Sequence, residues 1–383
     1  MKNILFIHQS AELYGSDRTL LLLIKNLDKS KFYPIVILPN EGPLKKELES
    51  ESIIVVIAPV LKLYRKMFTP KKLVGFLKDF KKGFSVLRKL NEEYKFEIIY
   101  SNTLAVLLGF FFAKKNNIKH LWHVHEIIES PNLIRKIFSS LIASKVNNAV
   151  IFNSNATSAF WRKGLNKTYR SEIVWNGLEV LNEKLSENKK IELKRELFHS
   201  NNTELIIGLV GRISSWKGQK ILLNAFELIP KKNIKLVFVG SPPPNQDVFL
   251  QELNRSIVSK GLQNETLIIP FQENINDVWQ IIDIAVVAST DPEPFGLVAV
   301  EAMLASKPVV AANHGGLTEI VVNNETGILF EPNNIESLSN ALRILIESEE
   351  LRISFGKKGF DRAVKNFTVD IYSNNIQKIL QNL

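Results

Sequence analysis

Residues 290–326 read TDPEPFGLVAVEAMLASKPVVAANHGGLTEIVVNNET, and this segment carries clear turn, helix and strand signals. Pro292 and Pro294 cannot continue a helix, so the first residues are predicted to form a turn. Phe295–Ala305 contains good helix formers and is apolar on all sides, which predicts a buried helix. Val309–Ala312 is an apolar run that indicates a short buried strand. A Gly pair and a second predicted helix follow, as in an α/β domain.

Two acidic residues lie on either side of the predicted helix start. Glu293 falls in the turn, and Glu301 falls about one turn into the helix. The first backbone N–H groups of this helix, at Gly296, Leu297 and Val298, would form a binding site for an anion. Carboxylates beside that site suit sugar hydroxyls, so the combination indicates a pocket for a nucleotide-sugar. The alternative is a surface loop residue and a charge on an exposed helix face.

The sequence around these acids carries a family resemblance. The pattern E-x7-E lies within PEPFGLVAVEAM (292–303), and KPVVA (307–311) and GGLTEIV (315–321) follow it. In this order the three segments resemble the retaining glycosyltransferases of family four, also called group 1 glycosyltransferases. The resemblance covers the C-terminal half of the chain and, more weakly, the N-terminal half. It implies the α/β fold named GT-B, in which two Rossmann-like parallel-sheet domains face each other across a cleft.

The resemblance also implies roles for individual residues in this stretch. Glu293 is expected at the catalytic site, where it would hold sugar hydroxyls, and Glu301 is expected at the nucleotide ribose. The helix start would face the leaving diphosphate. Gly315, Gly316 and Glu319 are expected near the same pocket.

Length and composition agree with two domains. The chain has 383 residues, of which 45% are hydrophobic, and this is enough for two α/β cores. We expect an acceptor-binding domain at 1–180, a linker at 181–202 and a nucleotide-sugar-binding domain at 203–365. The remaining residues, 366–383, would form a helix that returns to the first domain. The absence of cysteine from the sequence excludes disulfides and a cysteine nucleophile.

The N-terminal half shows alternating strand and helix signals, which predict a mostly parallel sheet covered on both faces. The predicted strands are Ile4–His8, Tyr33–Leu38, Ile53–Ala58, Glu97–Ser101, His120–His125, Ala149–Asn153 and Glu172–Trp175. Ligands of such sheets lie at the carboxyl ends of the strands, so the loop after each strand is informative.

The loop after the first strand contains Gly15, where the backbone could approach a ligand. Ser16 or Asp17 would cap the next helix. Family four usually has a Gly-Gly turn here, beside the donor phosphate, whereas this sequence has Tyr14 before Gly15. A simple turn with a helix cap is the alternative.

The fifth predicted strand ends in His123-Val124-His125-Glu126, which places the two histidines on the same side of the strand. A metal site is the weaker interpretation, because no third ligand is evident, and His123 suits a buried imidazole. His125 matches the position at which family four carries a histidine that contacts the transferred sugar. Glu126 stands where an acid is common in the family.

The second domain opens with the apolar run LIIGLVG (205–211), followed by Arg212 and then Lys217. The loop lacks the G-x-G-x-x-G pattern, so a nicotinamide site is not expected. Two fixed cations suit a diphosphate, and family four places the same Arg and Lys on the donor diphosphate. Phe271 falls where relatives hold the nucleobase. Further strands are predicted at 235–240, 266–270 and 284–288.

The segment 61–90 carries most of the excess charge of the chain. It holds ten Lys and Arg residues against the single Asp79, a net charge of +9 where the whole chain has +10. Interleaved Leu and Phe residues make it typical of a basic segment that binds a membrane surface. Nucleic acid is the rival partner, but the apolar residues favour an anionic membrane. The other alternative is a solvated helix face over ordinary core.

These features predict a retaining glycosyltransferase that moves a sugar from a nucleotide-diphosphate-sugar to a glycan or lipid-linked acceptor, in the synthesis of a bacterial surface polysaccharide. The expected catalytic residues are His125 and Glu293. We expect no cofactor and no metal, because no D-x-D motif stands in the sequence. A nucleotide-sugar epimerase of the same fold would need no acceptor, and a non-catalytic sugar- or membrane-binding relative would lack the charged pocket.

The predicted location is the cytoplasm, with peripheral attachment to the inner face of the plasma membrane. No stretch of the sequence approaches the roughly 18 unbroken apolar residues of a membrane-spanning helix. The N-terminus, MKNILFIHQS, has an apolar run shorter than that of a signal peptide, and we interpret it as the first strand.

Overall fold

The computed structural model of the chain describes residues 1–61, 70–163, 169–180, 183–201, 203–230 and 232–383, and the side chains of 70–74 and 77 are not described. The chain forms two compact units. The first unit is Met1–Leu178 together with Val369–Leu383, and the second is Glu179–Thr368.

Among its described residues the first unit has seven strands, all paired in parallel. They are β1 (Lys2–His8), β2 (Phe32–Leu38), β3 (Ile54–Ile57), β4 (Ile98–Asn102), β5 (Lys119–Val124), β6 (Asn147–Phe152) and β7 (Ser171–Ile173). Their order in the sheet is β3-β2-β1-β4-β5-β6-β7. Each overlaps a predicted strand, because strands buried on both faces are nearly continuous apolar runs in the sequence.

Helices cover both faces of this sheet. They are α1 (Gly15–Lys25), α2 (Pro43–Ser50), α3 (Pro70–Tyr94), α4 (Leu108–Asn116), α5 (Asn132–Ile142), α6 (Asn155–Arg162) and, at the end of the chain, α15 (Val369–Gln381). The core on one face contains residues of α1, α2 and α15, and the core on the other face contains residues of α3, α4, α5 and α6. The first unit is therefore a three-layer α/β/α structure.

The final helix of the chain belongs to the first unit, as the resemblance implied. Tyr372 of α15 is 1% exposed within the core of that unit. The side chain of Gln377 accepts a hydrogen bond from the Asp28 amide at 2.8 Å, and the Lys2 ammonium donates to the Leu380 carbonyl at 3.1 Å. These contacts join the first and last segments of the chain.

The described part of the second unit has six parallel strands. They are β8 (Leu205–Val210), β9 (Ile234–Val239), β10 (Thr266–Ile269), β11 (Ile284–Val287), β12 (Val309–Ala312) and β13 (Gly327–Phe330), in the order β10-β9-β8-β11-β12-β13. Its helices are α7 (Glu187–Phe198), α8 (Gln219–Glu227), α9 (Val248–Ser259), α10 (Ile275–Ile281), α11 (Leu297–Leu304), α12 (Leu317–Ile320), α13 (Ile335–Glu347) and α14 (Glu349–Asn366). The sequence did not predict β13.

The segment 181–202, predicted as a linker, contains α7, which is part of the second unit. Phe198 is fully buried, and the Lys194 ammonium lies 3.0 Å from the Asp283 carboxylate. The linker prediction was wrong for these residues, because one buried aromatic residue and one ion pair are enough to dock a polar helix. Residues 181–182 and 202 lie outside the described residues.

The aromatic residues of α3 do not form a free face. The rings of Phe80 and Phe84 stack with centroids 4.5 Å apart, and they pack against Phe111 and Phe112 of α4 at 6.0 and 5.4 Å. This corrects the expectation that these aromatics are available to lipid: they cover the core of the first unit. Residues 62–69, which hold part of the predicted membrane segment, lie outside the described residues.

The opposite side of α3 is charged and exposed. The exposed cations in its described part are Lys78, Lys81, Lys82, Arg88 and Lys89. Among the helices that the structure describes, none combines the length and apolar character needed to cross a membrane.

Candidate active site

The predicted donor-binding residues of the second unit gather at one end of its sheet. Strands β8, β11 and β12 are neighbours and run parallel, so their carboxyl ends lie on the same edge. The loops that follow them carry Lys217, Glu293 and the pair Gly315-Gly316. This edge is where open parallel sheets bind ligands.

An ion pair joins two of these loops. The Lys217 ammonium lies 2.6 Å from Oε1 of Glu293, and the two side chains are 16% and 7% exposed. The buried Ser289 hydroxyl donates to the same carboxylate oxygen at 2.6 Å. The Lys217 ammonium also lies 4.2 Å from the ring centroid of Trp216, within cation–π range. The structure therefore holds a cation and a carboxylate at fixed positions.

The glycine pair supports the loop that carries Glu293. Gly315 has φ of +59°, and a Cβ at this position would lie 2.4 Å from the Glu293 carbonyl oxygen. The Gly316 amide donates to that same carbonyl at 2.7 Å. The two glycines, predicted near the pocket, allow the backbone of the Glu293 loop to approach this turn.

The start of α11 lies between the two acids, as predicted. Gly296 precedes the helix with φ of +113°, and Leu297 and Val298 are its first residues, so their amides have no acceptor within the helix. Glu301 is half-buried in the second turn of α11 and accepts a hydrogen bond from the Trp279 indole N–H at 3.2 Å. These first amides and Glu301 thus belong to one short helix.

Three further predicted residues occupy the same unit. Arg212 is exposed and follows β8, and its carbonyl accepts from the Gln219 side chain at 2.9 Å. Phe271 follows β10 with 63% of its surface exposed, and its amide donates to the Ser241 hydroxyl at 3.1 Å. The Glu319 carbonyl accepts from Arg362 at 2.6 Å, so its backbone is held by α14.

In the first unit, His125 belongs to a buried chain of side chains that sequence reasoning did not find. The His125 Nε2 lies 3.0 Å from the Asn102 Oδ1, and the Asn102 Nδ2 lies 3.0 Å from the His8 Nδ1. The His8 Nε2 in turn lies 2.5 Å from the Asp17 carboxylate. All four residues are buried, and His8 and Asn102 lie at the carboxyl ends of the neighbouring strands β1 and β4.

His123 is a buried structural histidine, as one of the two interpretations predicted. It is fully buried, and its Nδ1 lies 2.7 Å from the Tyr100 hydroxyl. Its ring centroid lies 3.9 Å from that of His125, so the two rings share one side of β5. Burial lowers the pKa of His123 well below its usual value, and it lowers the pKa of His125 to about 3.

Glu126 joins the segments that follow the neighbouring strands β4 and β5. Its carboxylate accepts from the Leu104 amide at 3.0 Å and from the His125 amide at 3.0 Å. Burial raises the pKa of the Glu126 carboxyl to about 7, against the opposing effect of these two amides. Thr103, which directly follows β4, has φ of +85°. This conformation is unfavourable for a β-branched residue, and such strained positions are concentrated at functional sites.

The loop after β1 leads into α1 close to the predicted position. Gly15 is exposed and begins α1, as expected for a helix start. Asp17 caps the start of α1, as predicted, from a position in the first turn: its carboxylate accepts from the Tyr14 amide at 2.9 Å and also contacts His8. Among the residues that the structure describes, no group of three or more His, Asp or Glu side chains is arranged to hold a metal ion.

Two Rossmann-like units, with seven and six described parallel strands and the last helix of the chain packed on the first unit, define the GT-B class. Comparison with known families agrees with this class. Residues 190–362, almost the whole second unit, match the model of the family described as Glycosyl transferases group 1. The second unit is therefore similar to the group 1 glycosyl transferases, in agreement with the resemblance.

Two curated relatives of this chain are named as sugar transferases. The capsular polysaccharide biosynthesis glycosyltransferase CapM of Staphylococcus aureus is 30% identical over 204 residues, which are 51% of this chain and 50% of that protein. The lipopolysaccharide 1,2-N-acetylglucosaminetransferase of Salmonella typhimurium is 27% identical over 322 residues, 80% of each chain. The aligned part thus spans half of the first relative and four fifths of the second.

Solved structures extend the similarity over the whole chain. Anabaena Alr3699/HepE, solved in complex with UDP-glucose, has a TM-score of 0.87 at 26% identity, with 100% of both chains covered. WaaG, a glycosyltransferase involved in lipopolysaccharide biosynthesis, has a TM-score of 0.70 at 14% identity over 97% of this chain and 96% of its own. At that identity, the second similarity concerns the fold alone.

Proposed function

We propose that the protein is a retaining glycosyltransferase that uses a nucleotide-diphosphate-sugar donor and a glycan or lipid-linked acceptor, in the synthesis of a bacterial surface polysaccharide. The observation that carries this proposal is the paired Lys217 and Glu293 at the carboxyl ends of β8 and β11. The group 1 match of the same unit supports it. Because Alr3699/HepE was solved with UDP and with UDP-glucose, a uridine nucleotide is the first donor to test.

Cationic side chains and backbone amides of the second unit would bind the donor diphosphate. Lys217, Arg212 and the first amides of α11 supply positive charge or N–H donors. Such groups stabilise the leaving diphosphate most where its negative charge develops, in the transition state. Glu301 would bind the ribose hydroxyls, and Phe271 would lie beside the base. We expect this chemistry to need no metal ion.

Glu293 and His125 are the residues that we assign to the transferred sugar. A carboxylate accepts hydrogen bonds from hydroxyls, and a neutral imidazole can accept one as well. In the proposed step, an acceptor oxygen forms a bond to the anomeric carbon on the face from which the diphosphate departs. The bond between that carbon and the diphosphate oxygen breaks, and the acceptor proton moves to the leaving diphosphate.

The test of this function is product analysis with a panel of uridine, guanosine and adenosine diphosphate sugars. We expect release of one nucleoside diphosphate that increases when an acceptor glycan is added, an α-linked product from an α-linked donor, and equal rates with and without a chelator. An inverted product would contradict retention, and a rate abolished by the chelator would contradict metal independence. A donor converted without any acceptor would indicate an epimerase.

We also propose that α3 binds an anionic membrane surface through its charged side. Its exposed cations support this proposal, whereas Phe80 and Phe84 pack on α4 and are not available to lipid. We therefore expect binding to depend mainly on the electrostatic attraction between these cations and anionic lipid. This attraction is about 1 kcal/mol for each basic residue, and salt screens it over about 8 Å at physiological ionic strength.

Vesicle sedimentation of the full-length protein tests the membrane proposal. The variant Lys81→Glu/Lys82→Glu changes the charge of α3 by −4 and should lose most binding to vesicles that contain anionic lipid. The matched control, Lys357→Glu/Lys358→Glu, makes the same change at two exposed positions of α14 in the second unit and should bind like wild type. Equal sedimentation of all three proteins would contradict a role for α3.

A further inference from the structure

We propose that Asp17, His8 and Asn102 are positioning residues that hold His125 in a single neutral tautomer, with Nε2 protonated and Nδ1 presented to the substrate as a hydrogen-bond acceptor. The inference rests on the proposed function, since it concerns how His125 would contact a sugar hydroxyl. Its basis is the geometry of a buried chain whose two ends lie in different segments, in α1 and directly after β5.

The orientation of the Asn102 amide determines the direction of this chain. The Asn102 Nδ2 lies 3.4 Å from the Ser16 carbonyl oxygen and 3.0 Å from the His8 Nδ1. A carbonyl oxygen can only accept, so the atom that faces it is the NH2 group of the amide. The Asn102 Oδ1 must then face His125, and at 3.0 Å it can only accept from an Nε2–H group.

The other end of the chain agrees with this direction. The Asp17 carboxylate accepts from the Tyr14 amide at 2.9 Å and faces the His8 Nε2 at 2.5 Å, so His8 donates from Nε2. Its Nδ1 then accepts from the Asn102 NH2 group at 3.0 Å, which is nearer than the Asn102 backbone carbonyl oxygen at 3.4 Å. Each member of the chain thus donates in one direction only, from His125 to Asn102 to His8 to Asp17.

The surroundings keep the His125 ring neutral. The residue is 9% exposed, and its burial, with a smaller effect of His8, lowers the pKa of the imidazole to about 3. A neutral ring protonated at Nε2 carries its lone pair on Nδ1. Within the part of the chain that the structure describes, this Nδ1 makes no hydrogen bond. It is available to a hydroxyl donor, whereas the opposite tautomer could only donate there.

The first test is an NMR measurement on the full-length wild-type protein labelled with 15N-histidine. The chain has six histidines, so the His125 ring can be assigned by its loss in His125→Gln. We expect a ring protonated at Nε2, with well-separated nitrogen shifts. A wild-type ring protonated at Nδ1 would overturn the inference, whatever the behaviour of any variant.

The second test compares two substitutions of Asn102. Asn102→Leu removes the acceptor at similar size, so both tautomers should become populated, and the two nitrogen shifts of His125 should move toward each other. Loss of a residue that orients a metal-bound histidine typically costs about 10- to 100-fold, and by analogy we expect a loss of this size in kcat with little change in donor KM. Asn102→Asp restores an acceptor for Nε2, and it should return the wild-type tautomer and part of the turnover. Equal turnover and equal spectra for the two variants would overturn the inference.

Ser101→Ala is the matched control. Ser101 is the preceding, fully buried residue of β4, and its hydroxyl lies 2.9 Å from the Nε2 of His120, in a separate chain that ends at Asn147. It should leave the His125 tautomer and kcat unchanged. A failure of the proposed function has a different signature: His125→Gln with full activity would remove His125 from the reaction, while the NMR result would still report on the chain.

Discussion

The ion pair between Lys217 and Glu293 predicts that stability and activity respond differently to one pair of substitutions. Lys217→Met leaves the Glu293 carboxylate, which is 7% exposed, with the Ser289 hydroxyl as its remaining side-chain partner among the described residues. Breaking a fully buried pair costs roughly 3–5 kcal/mol. Because the Lys217 side chain is 16% exposed, we expect a smaller loss of about 2 kcal/mol in the free energy of unfolding of the second unit.

The double variant Lys217→Met/Glu293→Gln removes both charges, so it should recover most of this loss. Activity should not recover, because each single substitution removes a group used in the transition state and should lower turnover about 30- to 1000-fold. Hydrogen exchange of the β11 and β12 amides in urea measures the stability of the second unit, and nucleoside diphosphate release measures turnover. Wild-type kinetics in Lys217→Met would refute the diphosphate assignment. Recovery of turnover in the double variant would show that the pair is structural only.

Glu293→Gln should not weaken nucleoside diphosphate binding, since the carboxylate is assigned to the sugar and only competes with the diphosphate for Lys217; calorimetry showing a collapse of affinity would contradict this. Gly315→Ala should lower turnover at least about tenfold, because its Cβ would lie 2.4 Å from the Glu293 carbonyl oxygen; unchanged kinetics would show that the loop tolerates displacement. Glu301→Gln should weaken binding of uridine diphosphate about 10- to 100-fold, the range for a charged hydrogen bond, and equal affinity by calorimetry would contradict the ribose assignment. Burial lowers the pKa of His120 to about 4 and that of His125 to about 3, so the unfolded chain takes up these protons first. Each histidine should therefore cost the first unit up to about 1.4 kcal/mol per pH unit as pH falls from 6.5 toward 4. Glu126, whose pKa is raised to about 7, acts in the opposite direction down to about pH 4.5 and offsets one of them, so we expect a net loss, measured by urea denaturation at a series of pH values.

Most of the fold could be predicted from the sequence, because its strands are buried on both faces and read as apolar runs. Strand β13 was missed, since GILF (327–330) is a four-residue run that periodicity cannot distinguish from a buried helix segment. The role of α3 was harder to predict for a related reason. An amphipathic pattern shows that one face is apolar, but it does not show whether core or lipid covers that face.

The candidate site was only partly predictable. Glu293 and Lys217 were each found from a motif, but their contact joins loops 76 residues apart in the chain, and it exists because β8 and β11 are neighbours in the sheet. The chain from Asp17 to His125 was missed for the same reason. Strand ends at His8 and Asn102 were visible in the sequence, whereas the order β1-β4-β5, which brings them together, was not.

The contact between Lys217 and Glu293 has a consequence for donor binding under the proposed function. Before a donor binds, each of these groups partly satisfies the charge of the other. A diphosphate that takes the lysine ammonium leaves the carboxylate with the Ser289 hydroxyl and free to accept from sugar hydroxyls. The diphosphate and the sugar of one donor would then be recognised together. A free sugar would have to compete with the lysine for Glu293, and this favours binding of the intact nucleotide-sugar over binding of its parts.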